Sequence, residues 1–355
     1  MQIGLLPEMK KLLDIAIERK ASDLHLTVGV PPMIRIDGVL MAVPAEAPLT
    51  GPSISKLIQS FMTPEQIERL KIRKELDFSF GYQNMRFRTN AYFQKGFLAA
   101  SLRLIPKLIR SMQELGLPPV LERFIQPSQG FVIITGPTGH GKSTTLAALI
   151  NEINRTRNEH IITIEDPIEY VFEHDKSIIS QREVGSDTNS FARALRSCLR
   201  EDPNIVLVGE MRDLETIEAA LTLAETGHLV FTTLHTNSAA QTADRIIDVF
   251  PPHQQQQVRM QLANVMLGVV SQRLIPKTQG GRIISCEIMV ANSAVRATIR
   301  EGKTHLLTNI IQTSAAEGMI SMDKVLAELV SKGEITIDNA LTWALDPKAF
   351  KMMVY

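Results

Sequence analysis

The sequence of 355 residues predicts an α/β protein: a mostly parallel sheet flanked by helices, preceded by a smaller α+β domain. Three observations lead to this prediction. From Gly130 onward, short apolar runs typical of buried strands alternate with helical stretches. One such run, Phe131–Thr135, leads directly into a glycine-rich turn and then a helical pattern. Before residue 104, strand-like runs follow one another with helices beside them, which is typical of α+β domains.

Local patterns predict the elements of the first domain. Glu8–Lys20 places apolar side chains at helical spacing between charged residues, which indicates an amphipathic helix. Asp37 and Gly38 form a dipeptide that favours a two-residue hairpin turn. Thr63 and Gln66 have the spacing of a capping box at a helix start. Strand-like runs follow at Leu76–Gly81, Met85–Phe93 and Phe97–Leu104.

The domain boundaries follow from the breaks between these patterns. We expect a first domain over residues 1–104, a linker over 105–118 that opens with Ile105-Pro106, and a second domain over 119–355. The strand runs of the second domain are Phe131–Thr135, Ile161–Ile164, Ile205–Val208 and Leu229–Leu234. The tail from Ser293 is helical in pattern, and its expected stops are Gly302, Gly318 and Gly333.

Composition argues against a nucleic-acid-binding, membrane-spanning, secreted or zinc-binding protein. Lysine plus arginine equals aspartate plus glutamate at 38 each, so no basic excess attracts nucleic acid or anionic lipid. No stretch approaches the roughly 18 apolar residues of a membrane span, and Met1–Pro7 lacks the layout of a signal peptide. Cys198 and Cys286 provide no disulfide framework and no four-ligand zinc site, so we expect both to be buried packing residues. A cytoplasmic protein without a membrane span is expected.

The segment behind Phe131–Thr135 matches the phosphate-binding loop pattern G-x-x-x-x-G-K-S between a strand and a helix. Its glycines let backbone N–H groups point at phosphate oxygens, and the helix that follows adds its positive dipole end. Lys142 is expected at the β- and γ-phosphates and Ser143 on Mg²⁺, which predicts binding of a nucleoside triphosphate. The predicted nucleotide-binding residues are Gly136, Pro137, Thr138, Gly139, His140, Gly141, Lys142, Ser143 and Thr144.

Two strands of the second domain end in a carboxylate that suits ATP hydrolysis. Glu165 follows Ile161–Ile164 at the mouth of the predicted sheet, where it can accept a proton from an attacking water, and is our candidate general base. Glu210 follows Ile205–Val208 at the position where phosphate-loop enzymes hold Mg²⁺, and we expect it to act through water. A helix cap or a pair with an arginine would also explain either carboxylate.

Two histidines flank the last predicted strand. Because a strand advances about 3.3 Å per residue, His228 and His235 lie on the order of 20 Å apart and cannot share one site. His235, at the carboxyl end, is the histidine that can reach a nucleotide. His228 is expected to pack at the far edge or to face a neighbouring subunit.

Arginines of the first domain are candidates for binding phosphate oxygens. Arg86 and Arg88 alternate along one strand and project from one face, and Arg103 lies on the next strand. From spacing alone, a solvated sheet face explains them better than ligand binding does. A further basic stripe, which a subunit contact or ion pairs would explain equally well, is Arg193, Arg196 and Arg200.

Taken together, these segments resemble the secretion ATPase superfamily and, within it, the PilT-like retraction ATPases of type IV pili. The motifs that carry the resemblance are Ser22–Leu26, Arg86–Asn90, Gly136–Ser143, Ile164–Tyr170, Arg200–Pro203, Gly209–Asp213, Leu234–Asn237 and Ala294–Glu301. The resemblance implies a homohexameric ring in which each chain has a PAS-like N-terminal domain and a RecA-like P-loop ATPase domain, with ATP between them. It also implies that Arg88 and Arg103 close onto the γ-phosphate, and that His140 stands where many members have serine.

The resemblance further implies a motor at the cytoplasmic face of the inner membrane. ATP hydrolysis would act on an inner-membrane platform protein (PilC-like), and indirectly on pilin, so that pili retract and drive twitching motility. Extension and secretion motors usually add an N-terminal domain and a four-cysteine zinc site, neither of which this sequence contains, and this favours retraction. Three alternatives stay open: an accessory PilU-type retraction ATPase, a RecA-like nucleic-acid translocase, and a nucleotide-gated assembly subunit.

The last motif is expected to couple hydrolysis to retraction, with Ala294, Arg296, Arg300 and Glu301 as its candidate residues. At helical spacing, the residues predicted to pack inward are Ala294, Ala297 and Thr298. Those predicted to stay available to a partner are Arg296, Arg300 and Glu301. Ala297-Thr298 replaces the Asn-Leu of PilT-like members, which is why the accessory type stays open.

Overall fold

The computed structural model describes residues 4–83, 85–105 and 108–354. Pro106 of the expected linker, the first three residues of Met1–Pro7, and Tyr355 lie outside the described residues. The chain divides into two compact units, of which the first takes Met1–Leu108 with Pro167–Val171 and the second takes Ile109–Asp166 with Phe172–Tyr355. Of the described helices, none is both long and apolar enough to cross a membrane.

The first unit is a six-stranded antiparallel sheet with helices packed on it, in the strand order β3-β2-β1-β6-β5-β4. Its strands are β1 (Asp23–Leu26), β2 (Met33–Ile36), β3 (Val39–Ala42), β4 (Glu75–Tyr82), β5 (Met85–Gln94) and β6 (Phe97–Ile105). Its helices are α1 (Pro7–Glu18), α2 (Gly51–Gln59) and α3 (Pro64–Arg73). The three predicted strand runs and the amphipathic helix are confirmed.

Local chemistry explains two of these elements. Asp37 and Gly38 both have positive φ, 48° and 82°, as a tight turn between β2 and β3 requires, and the predicted hairpin is confirmed. At the start of α3, the Thr63 hydroxyl accepts from the Gln66 N–H at 3.2 Å. The Gln66 side chain accepts from the Thr63 N–H at 2.8 Å, which completes the predicted capping box.

The second unit is built on a seven-stranded sheet in the order β13-β12-β7-β11-β10-β8-β9. Its strands are β7 (Gly130–Thr135), β8 (His160–Glu165), β9 (Ile178–Glu183), β10 (Ile205–Val208), β11 (Leu229–Thr233), β12 (Met266–Pro276) and β13 (Arg282–Val290). All neighbours are parallel except β12 and β13, which form an antiparallel pair. The predicted mostly parallel sheet is confirmed, and β9, β12 and β13 extend it beyond the four predicted strands.

Helices cover this sheet and form the tail. They are α4 (Glu122–Ile125), α5 (Lys142–Thr156), α6 (Phe191–Cys198), α7 (Leu214–Glu225), α8 (Ala239–Asp248), α9 (Pro252–Val265), α10 (Ser293–Arg300), α11 (Leu307–Thr313), α12 (Met322–Ser331), α13 (Ile337–Trp343) and α14 (Pro347–Val354). Short 3₁₀ turns occur at Pro119–Leu121, Thr304–Leu306 and Ala315–Glu317. The three predicted helix stops have positive φ: Gly302, Gly318 and Gly333.

Parallel pairing determines where the site lies. The strands β7, β8, β10 and β11 are buried along their whole length apart from His160, which makes them the centre of the second unit. Val208 is paired with Ile164 on one side and Thr232 on the other, and Thr232 is paired with Ile133. The carboxyl ends of these strands therefore meet at one edge of the sheet, where open parallel sheets bind ligands.

Both cysteines have the packing role expected of them. Cys198 and Cys286 are free and buried. Burial raises the pKa of each thiol to about 12, so both stay protonated and chemically inert at neutral pH.

Candidate nucleotide-binding site

The predicted phosphate-binding loop connects β7 to α5, as the pattern requires. Gly136, Gly139 and Gly141 have φ values of 136°, 80° and 81°, a region that side chains rarely adopt. At Gly136 the spatial constraint is equally strong, because an added Cβ would collide with the carbonyl oxygen of Gln272. The backbone conformation at this strand–helix junction therefore requires glycine at these positions of the pattern.

The loop is fixed to the neighbouring strand β12 through His140 and Gln272. The Gln272 side chain, 1% exposed, donates to the His140 carbonyl at 2.7 Å and accepts from the Thr145 hydroxyl at 2.7 Å. The His140 ring accepts at Nδ1 from the Leu274 N–H at 3.0 Å. Burial lowers the pKa of His140, and the charges of Arg273, Lys142 and Arg282 lower it further, which keeps Nδ1 available as an acceptor.

Lys142 lies at the start of α5 and is 7% exposed. Its ammonium group donates to the carbonyl oxygens of Gly136 at 2.8 Å and Pro137 at 3.0 Å. Its Nζ also lies 3.3 Å from Nδ1 of His235. The lysine is thus held over the loop, where an ammonium group can exchange loop carbonyls for phosphate oxygens.

His235 joins this lysine to the predicted Mg²⁺ carboxylate. His235 Nε2 lies 3.1 Å from Glu210 Oε1. An ammonium group only donates, so Nδ1 accepts from Lys142 and the ring proton lies on Nε2, facing Glu210. Three residues predicted separately, Lys142, His235 and Glu210, therefore form one continuous chain of polar contacts at the carboxyl edge of the sheet.

Glu210 is kept ionised by its surroundings. Burial raises its pKa, but the hydrogen bond from Arg212 and the interactions with His235 outweigh this effect, and the pKa lies below the ordinary glutamate value. Arg212 approaches the carboxylate at 2.8 Å through both Nε and Nη2. An ionised carboxylate near the loop suits a magnesium ligand, directly or through water.

Glu165, the predicted general base, is the last residue of β8 and is 8% exposed. Its Oε1 accepts from the Thr163 hydroxyl at 2.6 Å and from the Gln181 amide at 3.2 Å. These two donors fix the orientation of the carboxylate. A fixed, largely buried carboxylate at the edge of the sheet has the character that a general base needs.

The loop and helix fit a triphosphate. Within the described residues, no side chain caps the N-terminus of the 15-residue helix α5, so its first N–H groups suit anionic oxygens. In the same part of the chain, a Cβ added to Gly139 would meet no atom within 4 Å, which leaves that side of the loop open.

The residues at the site are also compatible with Mg²⁺, which needs few protein ligands. Among the residues that the structure describes, no group of three or more His, Cys, Asp or Glu side chains converges as a metal site. Mg²⁺ commonly uses one or two protein oxygens together with substrate phosphates and waters. The Ser143 hydroxyl and Glu210 are the oxygens that the sequence predicts for it.

Two arginine candidates of the first unit, Arg88 and Arg103, pair with carboxylates of that unit. Arg88 on β5 lies 3.7 Å from Glu169, and its side chain is 40% exposed. Arg103 on β6 donates to Asp23 at 2.9 Å, and its side chain is 66% exposed. Glu169 is also exposed, so its pair holds Arg88 only weakly, whereas Asp23 is buried and also accepts from the Ser22 hydroxyl.

The remaining sequence candidates make structural contacts. His228 immediately precedes β11, at the opposite end of that strand from His235, and its Nδ1 lies 2.9 Å from the Leu223 carbonyl. In the basic stripe, Arg196 lies 3.5 Å from Glu215 on the exposed surface. Ion pairing of this kind was one of the two explanations open for that stripe.

The expected orientation of Ala294–Glu301 is wrong in part. Helix α10 buries Val295, Thr298 and Ile299, whereas Ala294 is exposed and Ala297 is half-buried. The branched apolar side chains at four-residue spacing determine the buried face, because they exclude more water than alanine does. Of the three residues expected to pack inward, Thr298 is buried and the two alanines are not.

Arg296, expected to stay available to a partner, is half-buried and bonded to backbone carbonyls of its own unit. Its Nη1 donates to the carbonyls of Ala263 at 2.6 Å and Asn264 at 2.7 Å, and its Nε donates to Ala291 at 3.0 Å. The first two carbonyls end helix α9, where a cation satisfies both the unpaired oxygens and the helix dipole. Of the expected motif residues, Arg300 and Glu301 are exposed.

Comparison with known proteins gives extensive matches. A model of the family described as type II/IV secretion system protein matches residues 4–280. The chain is 47% identical, over 97% of its length and 100% of the relative, to the type IV pilus retraction ATPase PilT of Pseudomonas aeruginosa. It is 38% identical to the type IV pilus ATPase PilU of the same organism, over 98% of this chain and 91% of PilU. A crystal structure of the pilus retraction motor PilT with bound ADP aligns with a TM-score of 0.90 and 47% identity, covering 97% of this chain and 98% of that one.

Proposed function

Because this chain belongs to the type II/IV secretion system protein family, we propose that it is an ATPase motor that retracts type IV pili. Family membership and the fold, an N-terminal domain before a RecA-like ATPase core, confirm the resemblance predicted from the motifs. The observation that carries the proposal is the contact chain from Lys142 through His235 to Glu210, which joins the phosphate loop to two further motifs of the family.

Each residue of the site has a distinct task in ATP hydrolysis. The N–H groups of the loop and of the first turn of α5 bind phosphate oxygens, and Lys142 moves from the loop carbonyls to the β- and γ-phosphates. Ser143 and Glu210 hold Mg²⁺, which when bound neutralises phosphate charge. His235 orients Glu210 and Lys142 relative to each other. Glu165 accepts the proton of the attacking water.

Arg88 and Arg103 complete the proposed machinery by stabilising negative charge on the γ-phosphate. The Arg88 partner Glu169 is exposed, so that pair can open at small cost. The Arg103 partner Asp23 is buried, but it keeps the Ser22 hydroxyl at 2.8 Å and Arg35 at 3.9 Å when the exposed Arg103 leaves. The working assembly in this proposal is a homohexamer.

The proposed partners are an inner-membrane platform protein (PilC-like) and, through it, pilin. The motor would act at the cytoplasmic face of the inner membrane. Arg300 and Glu301 are the exposed residues of the last motif and therefore the proposed contacts for coupling, whereas Arg296 supports the helix that presents them.

The experiment combines a purified-protein assay with a cell assay. Lys142→Ala is expected to abolish phosphate release by the purified protein and, in a piliated bacterium lacking its own copy, to cause hyperpiliation without twitching. Lys176→Ala, a change at an exposed lysine of the same unit, is the matched control and should retain both activities. Normal twitching with an inactive Lys142→Ala protein would disprove the motor proposal.

One observation favours the accessory PilU-type ATPase as a second candidate. The chain is also 38% identical to PilU over nearly its whole length, and Ala297-Thr298 departs from the PilT-like motif. A cell that contains this chain as its only retraction ATPase distinguishes the two. Retraction in that cell identifies a main motor, and retraction only beside a second ATPase identifies an accessory one.

A further inference from the structure

The phosphate loop contacts the C-terminal helical tail through one aromatic pair. The His140 ring meets the Trp343 ring edge to face, with centroids 4.8 Å apart. Arg273 of β12 lies 5.8 Å from the centre of the same indole ring. Trp343 is the last residue of α13 and the only tryptophan of the chain, so tryptophan fluorescence reports on the surroundings of this one ring.

Helix α13 is fixed on the second unit independently of this contact. The Asn339 amide donates to the Pro276 carbonyl, at the end of β12, at 3.2 Å. Directly after α13, the N–H groups of Leu345 and Asp346 donate to the carboxylate of Asp323, at 2.7 Å and 2.9 Å, and Asp323 is 7% exposed. The indole ring is therefore presented to the loop by a segment with its own supports.

Nucleotide binding must disturb the loop side of the pair. Lys142 donates to the Gly136 and Pro137 carbonyls, and those bonds have to break when its ammonium group turns to phosphate oxygens. His140 lies two residues away, between Gly139 and Gly141, which both have positive φ and can change conformation at low cost. A rearrangement of the loop is thus passed to the His140 ring.

We propose that His140 is a positioning residue that couples phosphate binding at the loop to helix α13 through its ring contact with Trp343. The proposal rests on the proposed nucleotide-binding function of the loop. It makes the C-terminal tail a part of the molecule that senses the nucleotide state.

The test measures ADP binding and the tail response separately, in the full-length protein with Mg²⁺. Isothermal calorimetry gives the Kd of ADP without relying on tryptophan. Trp343 emission, and hydrogen exchange of the amides of Ile337–Trp343, give the response of the tail. In the wild type we expect a saturable change in emission whose midpoint equals the calorimetric Kd, together with altered exchange in α13.

Two variants of His140 separate the ring contact from the loop anchor. The His140→Asn variant retains a side-chain acceptor for the Leu274 N–H but has no ring, whereas the His140→Ser variant loses both. At saturating ADP, both variants are expected to lose most of the emission change. The Kd should rise about fivefold in the serine variant, because the loop loses a hydrogen bond worth about 1 kcal/mol that holds it ready for phosphate and must be ordered on binding. His253→Ser, at an exposed histidine on α9, is the matched control and should behave as the wild type.

The outcomes distinguish this inference from the function on which it rests. Calorimetric binding of ADP with no change in emission or in α13 exchange would overturn the coupling and leave the proposed function intact. A full emission response in His140→Asn would show that the ring contact is merely structural. No calorimetric binding of ADP by the wild type would overturn both proposals.

Discussion

At the scale of the residue, Glu165 is the side chain whose replacement should separate nucleotide binding from turnover. Glu165→Gln keeps an oxygen that accepts from Thr163 and removes only the ability to take a proton. We expect ATP hydrolysis to slow by at least about a hundredfold, as for the loss of a positioned base, with ADP affinity little changed. Steady-state phosphate release and calorimetry measure the two quantities.

The matched control for this prediction is Glu218→Gln, which changes an exposed carboxylate on α7 and should leave turnover unaltered. Wild-type turnover by the Glu165→Gln protein would contradict the assignment. Glu169 and Glu210 would then be the next candidates for the base.

A second prediction at this scale concerns His25 of the first motif. Burial lowers the pKa of His25 below its ordinary value of 6.5, and Arg35 and Arg103 lower it further while Asp23 opposes them. Nδ1 lies 3.3 Å from the Ser101 hydroxyl, and within the described residues Nε2 is buried without a hydrogen-bond partner. A charged imidazole therefore has no partner for its second N–H.

The sign of the pH effect follows from this lowered pKa. Above pH 6.5 His25 is neutral in both the folded and the unfolded chain, and its contribution to stability is fully present. As the pH falls below 6.5, the unfolded chain binds the proton first and the folded state loses stability. Urea midpoints should fall more between pH 7.5 and 5.5 for the wild type than for His25→Asn. Equal losses would show that His25 does not contribute.

At the scale of the element, the end of helix α9 depends on Arg296 of α10. Removing a cation that satisfies three carbonyls should destabilise the second unit by about 2 kcal/mol, because hydrogen bonds to charged groups are among the stronger ones. Urea unfolding of Arg296→Ala measures this loss. Arg300→Ala, an exposed residue on the same helix, is the matched control and should change stability by less than about 0.5 kcal/mol. Equal stability of the two variants would contradict the capping role.

The elements that the sequence predicted are those with local causes. Asp37 and Gly38 specify the β2–β3 turn, and Thr63 with Gln66 specifies the start of α3, because each pattern acts within four residues. Strands β12 and β13 have a different cause. Their pairing joins Gly268 to Val290 across an intervening turn, and a long apolar run alone does not distinguish such a pair from a helix.

The residues of the candidate site also fall into those that a local pattern predicts and those that only distant contacts bring there. Lys142, Glu210 and His235 each belong to a motif or a strand end, and the parallel sheet then brings them together. Gln272 and Trp343 carry no such local signal, because their contacts with His140 span 132 residues in one case and about 200 in the other. For Arg296 the local signal was misleading. Helical spacing predicted an exposed side chain, but the carbonyls at the end of α9, about 30 residues earlier in the chain, determine where the guanidinium group lies.

At the scale of the whole molecule, each unit has a hydrophobic core of its own. Among the described residues, one core includes Phe61 and Phe87 in the first unit, and another includes Phe131 and Val230 in the second. The phosphate loop belongs to the second unit, so ADP should stabilise that unit by about 2.7 kcal/mol at a concentration of one hundred times its Kd. Hydrogen exchange of the β7 and α5 amides measures the gain.

Lys142→Ala is the control for this stabilisation and should show none of it, since the loop then lacks the cation that binds the β-phosphate. Slowed exchange confined to the first unit, with β7 and α5 unaffected, would place nucleotide binding elsewhere in the chain.

The proposed homohexamer predicts a mass six times that of the 39.5 kDa chain when ADP and Mg²⁺ are present. Light scattering coupled to size exclusion measures this mass directly. Nucleotide bound at the loop is expected to assist assembly. The Lys142→Ala variant, which lacks that nucleotide, should therefore reach the same mass only at high protein concentration. A strictly monomeric wild type in the presence of nucleotide would contradict the ring.

The last prediction concerns Arg88 and Arg103, whose guanidinium groups are exposed and pair with Glu169 and Asp23. The exposed pair of Arg88 with Glu169 contributes at most about 1 kcal/mol, so Arg88 can exchange it for a γ-phosphate. Arg103 can leave Asp23 because that buried carboxylate keeps the Ser22 hydroxyl and Arg35 as partners. Cationic groups on a transferring phosphoryl accelerate hydrolysis by about a thousandfold or more. The double variant Arg88→Ala, Arg103→Ala should therefore lose turnover by at least about a hundredfold, while ADP, which has no γ-phosphate, binds nearly as in the wild type.

The matched control is Arg19→Ala, Arg73→Ala, which removes two exposed arginines of the same unit and the same total charge. It should hydrolyse ATP at the wild-type rate. If both double variants lose turnover equally, the effect comes from net charge or from the stability of the first unit. If neither does, the two arginines act only through their ion pairs with Glu169 and Asp23. Loss in the first variant alone, with the light-scattering mass unchanged, is the result that assigns them to γ-phosphate chemistry rather than to assembly.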